Sequence, residues 1–208
     1  MNKYFLTIAI SLLAGVAKTS AADPYNLPIQ LDYALIKKAV GSQLFTGEGG
    51  AAEVWNDKHK CSFLKLYNPR ISGEGGQIKL LNDVQAQFGT ALGGQCITVL
   101  AWDGALETFQ RPNISADQSV LSLPVTKANA YDRQGRQLTI DKLQDLIKRA
   151  AEPKLAEVKI DLNKSRGDME RTLTGFLPKE NAGEIKKILA TLKFSGAEAN
   201  DEGVNIKL

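Results

Sequence analysis

The sequence predicts an α+β fold, a curved antiparallel sheet of about five or more strands packed on amphipathic helices. Three observations carry that expectation. Between Cys61 and Val125, short strand-like runs are punctuated by glycine and proline. Before them, from Leu35 to Phe45, apolar residues recur at helical spacing. After them, further helical stripes appear, and the chain ends on a short alternating run.

Taken in order, Asp23–Pro28 is a lead-in to Ile29-Gln-Leu-Asp, a brief strand, and Asp32 is placed to cap the helix that follows. Leu35, Ile36, Ala39, Val40 and Leu44 form the stripe of that helix, and Gly47-Glu-Gly-Gly ends it. Ala51–Lys60, with Trp55 and His59 among charges, is a candidate strand entering the sheet. The sheet proper opens with Cys61-Ser-Phe-Leu-Lys-Leu-Tyr, which stops at Asn68-Pro69. Gln77–Leu81 follows a second Gly-Glu-Gly-Gly, at Gly73–Gly76. Asp83–Phe88 alternates strictly, which places Val84, Ala86 and Phe88 on one face. Cys96–Trp102 and Ala105–Gln110 flank Asp103-Gly104, a pair suited to a type I′ hairpin turn, where both central residues need positive φ. Ser119–Val125 closes the series.

Ala130–Arg136 is polar and turn-like. Ile140, Leu143, Leu146, Ile147 and Ala150 then mark a second helix, with Thr139 as its cap and Pro153 beyond its end. Val158–Leu162 alternates as a strand. A third helix over Ser165–Phe176 opens on the capping pair Ser165 and Asp168. A fourth follows Asn181, with Ile185, Ile188, Leu189 and Leu192 as its stripe. Phe194 begins an extended segment, and Gly203-Val-Asn-Ile-Lys-Leu is a short terminal strand.

The address is set by the first residues. Met-Asn-Lys, an apolar run from Tyr4 to Ala17, and small residues at Ser20 and Ala22 make a secretory signal peptide over 1–22. The apolar run is too short for a comfortable membrane span. Cleavage after Ala22 leaves 23–208 as a single α+β domain, expected in the periplasm or secreted, with no transmembrane segment. Removing Lys3 and Lys18 leaves 24 basic against 23 acidic residues, a balance that argues against nucleic acid as a partner. In an oxidising compartment the two cysteines, Cys61 and Cys96, are expected to form one disulfide. The chain-entropy model gives such a loop about 3.8 kcal/mol of stabilisation.

Catalytic patterns are scarce. The one histidine, His59, lies in Asp57-Lys-His-Lys-Cys, flanked by lysines, and no Gly-x-Ser-x-Gly elbow is present. The glycine clusters lack the Gly-Lys-Ser/Thr of a phosphate loop. The acidic residues are spread over polar helix faces and turns. No catalytic residue, metal site or cofactor is expected, and the chain is expected not to be an enzyme. Asn113-Ile-Ser115 is a formal glycosylation acceptor.

One strand is apolar on both faces. In Cys96–Trp102, Cys96, Leu100 and Trp102 share one side, and Ile97, Val99 and Ala101 the other. Such a strand needs cover on both sides, either a helix on each face or a cavity for an apolar ligand on one of them. Ile97, Val99, Leu100 and Trp102 are the candidates to line that cavity.

Leu27-Pro-Ile-Gln-Leu-Asp-Tyr at the helix entry, with prolines followed by strand residues at Pro69, Pro112 and Pro124, carries a resemblance across most of the domain. The chain resembles the tubular lipid-binding (TULIP-like) proteins, in particular the small periplasmic ones of Gram-negative bacteria. That likeness implies a long helix wrapped by a curved sheet and an apolar groove for acyl chains. It supplies no catalytic residues and does not account for Cys61 and Cys96. The expected function is non-catalytic binding of a lipid or other apolar ligand. The alternative is a ligand-free interaction or envelope-assembly protein, with an envelope protein as partner.

Overall fold

The computed structural model describes residues 29–57, 59, 61–164, 167, 171, 183, 187, 191 and 193–207. The signal peptide expected over 1–22 lies outside them, as do all but a few residues of the helices expected over 165–176 and 181–192.

The chain forms β1 (Ile29–Asp32), α1 (Tyr33–Leu44), β2 (Ala52–Asn56), β3 (Phe63–Glu74), β4 (Gln77–Leu92) and β5 (Gln95–Gln110). Then come β6 (Asn113–Ile114), β7 (Val120–Ser122), β8 (Val125–Asp132), β9 (Gln137–Leu138), α2 (Asp141–Leu146), a π turn (Ile147–Ala151) and α3 (Glu152–Ala156). β10 (Lys159–Asp161), β11 (Gly196–Ala199) and β12 (Gly203–Lys207) follow. The main sheet has the order β2-β3-β4-β5-β8-β9, and two smaller sheets have the orders β1-β12-β11 and β10-β7-β6. The pairings are antiparallel. Helices combined with antiparallel sheets make this an α+β fold, richer in strand than in helix.

Local chemistry accounts for the elements. Asp32 Oδ1 accepts the Leu35 N–H at 2.7 Å, so α1 starts on a satisfied cap. Ile36, Val40 and Leu44 are its buried stripe, while Leu35 is 42% exposed. Alternation along the sheet buries Leu64 and Leu66 on β3, Ile78, Leu80, Val84 and Ala86 on β4, and Leu106 on β5. These pack in one core with the α1 stripe and with Leu143, Ile147, Ala151 and Leu155 of the second helical segment. Asn82 sits on the same buried face, and among the described residues neither end of its amide has a hydrogen-bond partner.

Several expectations are corrected. Gln77–Leu81 and Asp83–Phe88 are one strand, β4, and β5 runs straight through Asp103-Gly104 without a turn. Gly104 answers a different demand. A Cβ there would stand 1.9 Å from Tyr131 O and 2.7 Å from Trp102 Nε1, so the position needs glycine for close approach. The two hairpin turns fall instead on Gly75-Gly76 (φ 57° and 77°) and Gly93-Gly94 (φ 58° and 81°). β3 also passes Asn68-Pro69: Asn68 takes φ 50° and the register slips between Tyr67 and Arg70, a bulge that accommodates the proline.

β7, expected to close the main sheet, pairs with β6 and β10. Lastly, Pro153 lies inside the second helical segment, which continues to Ala156. The preceding π turn is the accommodation. There Glu152 N–H reaches Ile147 O, a wider loop than the α-helical bond, just ahead of the residue that has no N–H to give. Ile140 occupies the N-cap position expected for Thr139 and makes no side-chain cap bond.

Candidate functional site

β4 and β5 pair from Ile78–Gln110 to Leu92–Gln95, but their neighbours stop early. The last β3 pair is Phe63–Gln87, and the last β8 pair is Gly104–Asp132. From there to Gly93-Gly94 the hairpin continues as two strands. No residue from Val84 to Trp102 is charged. A register shift between Phe88–Leu100 and Gly89–Thr98 leaves Val99 without an opposite residue, and its side chain is 78% exposed. Leu92 is 66% exposed and Ile97 47%. Phe88 marks the boundary with the core, half-buried and stacked on Trp55 with ring centroids 6.1 Å apart.

One side of this hairpin end is fixed by local bonds. Ser62 Oγ donates to Gly89 O at 3.0 Å and accepts from Gly89 N at 3.1 Å, standing in for a strand residue beside β4. Cys61 O accepts from Gln87 Nε2 at 3.1 Å. The chain crosses here so closely that a Cβ on Gly89 would lie 2.9 Å from Cys61 O and 2.7 Å from Ile97 O. The crossing carries the expected disulfide, Cys61–Cys96, with the two Cα atoms 5.2 Å apart. Asp57 Oδ1 takes the Cys61 N–H at 2.9 Å. Desolvation works to raise the Asp57 pKa, but the combined bonds from Ser62, Cys61 and His59 bring it below the usual value.

The other side is open. Trp102 Nε1 donates to Tyr131 O at 3.0 Å, so the indole occupies the carbonyl where the β8 ladder ends. Beyond it, Gln95–Ala101 have no strand on the β8 side, and no described residue hydrogen-bonds that backbone edge.

The four residues expected to line a cavity therefore have different environments. Trp102 is core, 5% exposed, with its N–H satisfied. Leu100 is half-buried. Ile97 and Val99 face solvent. The missed features are Leu92 and the open edge of β5. Their sequence signal is the charge-free stretch Val84–Trp102 around a Gly-Gly turn.

A second concavity, of about 760 Å³, lies on the polar face of β4, β5 and β8 around Asp83, Asp103, Glu107, Tyr131 and Asp132. Each carboxylate there is engaged. Asp83 meets Arg70 at 2.6 Å, Asp103 meets Arg133 at 3.0 Å and Asp132 meets Arg136 at 2.7 Å. Glu107 accepts from Asn129 at 2.9 Å and from the Tyr131 hydroxyl at 3.1 Å. Burial, then the bond to Glu107, raises the Tyr131 pKa. The Arg136 backbone N–H leads the causes that lower that of Asp132. Such a face is a charge-balanced sheet surface. Among the described residues no three His, Cys, Asp or Glu side chains are placed to hold a metal, and no helix is long and apolar enough to cross a membrane. His59 is exposed in the loop before Cys61. Asn113 is exposed on β6. No protein-family model matches the chain, and no curated protein or solved structure matches it either.

Proposed function

We propose that the chain is a non-catalytic binding protein of an oxidising, extracytoplasmic compartment, and that it acts as an interaction module through the end of the β4–β5 hairpin. The observation that carries this reading is the open β5 edge, Gln95–Ala101, in a charge-free segment tied near its tip by the disulfide. A row of free N–H and C=O groups is satisfied by another extended polypeptide, which a lipid chain cannot imitate. Lipid or another apolar ligand is the second reading. Its support is the exposure of Leu92, Ile97 and Val99 together with the TULIP-like resemblance.

Amide hydrogen exchange separates the two. A soluble heptapeptide alternating threonine and valine should slow exchange at alternate amides of Gln95–Ala101, while phosphatidylcholine vesicles should leave them unchanged. Vesicle binding that Val99→Asp abolishes, with no protection by the peptide, would replace the interaction reading with the lipid one.

A further inference from the structure

We infer that the end of β5 is a self-association edge, pairing antiparallel with the same segment of a second copy of this chain. The inference rests on the reading of that edge as the docking element. Its argument comes from comparing the edges of the described sheets. β2 has five residues and carries Glu53, β9 has two, and β6 has two. β1 has four and ends on Asp32; β11 has four and carries Glu198. β10 has three, two of them the charged Lys159 and Asp161, and its backbone is already clasped. Gln43 Nε2 donates to Lys159 O at 2.8 Å, and Gln43 Oε1 accepts the Lys159 N–H at 3.0 Å. These edges are short, charged or covered, the devices by which proteins block pairing between copies. The free end of β5 has no charge or proline along Gln95–Trp102 and no cover among the described residues; its one irregularity is the bulge at Val99.

That pattern favours a second copy over a foreign strand. A chain that must dock another protein and itself remain monomeric needs a charge on the edge to keep its own copies apart. Antiparallel pairing about an axis near Val99 sets Asp103 of one copy beside Gln95 of the other, so no like charges meet. Asp103 is in any case bridged to Arg133 at 3.0 Å. The same pairing brings the exposed Ile97 and Val99 side chains of the two copies together, giving each the cover it lacks alone. The site is incomplete in one chain and closed in two.

Sedimentation equilibrium of the disulfide-intact protein, from micromolar to millimolar concentration, should show a monomer–dimer equilibrium. Exchange at Gln95–Ala101 should slow as concentration rises. Val99→Lys should weaken the dimer by about tenfold or more through like-charge contact across the axis. Its monomer should melt as the wild type does, because the side chain is 78% exposed. A protein that stays monomeric to millimolar concentration overturns the second copy. If the threonine–valine peptide still protects the same amides, the docking edge survives and serves another chain; if it does not, both readings fall. A dimer indifferent to Val99→Lys and to Ile97→Lys, with unchanged exchange at Gln95–Ala101, also overturns the inference.

Discussion

β4 runs from one glycine turn to another, and the two ends live in different worlds. At the Gly75-Gly76 end the hairpin is docked. Gly76 O accepts the Ala199 N–H at 3.1 Å, and a Cβ on Gly73 would lie 2.0 Å from Asn200 O. At the Gly93-Gly94 end an added Cβ would meet nothing within 4 Å. Apolarity does not explain the contrast. The docked half alternates Lys79, Leu81 and Asp83 with buried positions, whereas the free half is uncharged and yet exposed. Burial follows from neighbours, and neighbours follow from backbone bonds far away in sequence. The β11–β12 turn receives one end; at the other, β8 turns back at Asp132–Arg136 and leaves β5 uncovered beyond Gly104.

The largest test of that contrast is steric. Gly73→Ala should cost about 3 kcal/mol, because backbone blocks the new methyl. Gly93→Ala should cost about 1–2 kcal/mol, from its left-handed backbone alone. Urea unfolding of both variants measures the difference, and equal losses would mean the docked end is looser than its distances imply.

Next is the clamp. Replacing Cys61 and Cys96 together by serine should lower stability by about 2–4 kcal/mol. Exchange should accelerate from Gly89 to Ala101 while the amides of Ile78–Val84 remain protected relative to global unfolding. Uniform acceleration would show the bond serving the whole domain and not the hairpin end.

A matched pair of valines comes third. Val84 is 4% exposed and Val99 78%. Val84→Thr should cost about 1–3 kcal/mol by burying a hydroxyl. Val99→Thr should stay within about 0.5 kcal/mol in the monomer. A large loss at Val99 in dilute protein would refute its exposure.

The smallest effect is one of pH. The Asp57 pKa is lowered in the fold from an ordinary value of 3.8. Its bond to the Cys61 amide therefore contributes fully above that value and is lost as pH falls through the lower folded one. The Cys61 amide resonance should titrate with a midpoint below 3.8; a midpoint at or above it removes the carboxylate from the clamp.

Much of this was legible in residues. The periodicity of Ile36, Val40 and Leu44 with Asp32 ahead of it gives α1, and strict alternation at Val84, Ala86 and Phe88 gives the buried face of β4. Two cysteines in a chain read as exported give the disulfide. What failed were positions where one residue type serves two purposes. Glycine at 104 looks like a turn because a missing Cβ permits positive φ, but the same absence admits Tyr131 O and the indole. Proline at 153 looks like a stop because it lacks an N–H, yet a π turn ahead of it lets the helix continue. For the candidate site, Ile97 and Val99 were visible as apolar, but their exposure was not. It depends on where β8 ends, which is set by the turn at Asp132–Arg136, far from Ile97 and Val99 in sequence.

The pairing of β1 with β12 carries a consequence for how this molecule comes into being. Ile29 faces Ile206 and Asp32 faces Gly203, so the first described strand has no ladder until the last one has emerged. A nascent chain therefore cannot finish folding piece by piece from its leading end. β1 waits, and α1, which begins at the next residue, waits without its anchor, through the making of everything from Tyr33 to Glu202. Completion of the fold is timed by the arrival of the tail.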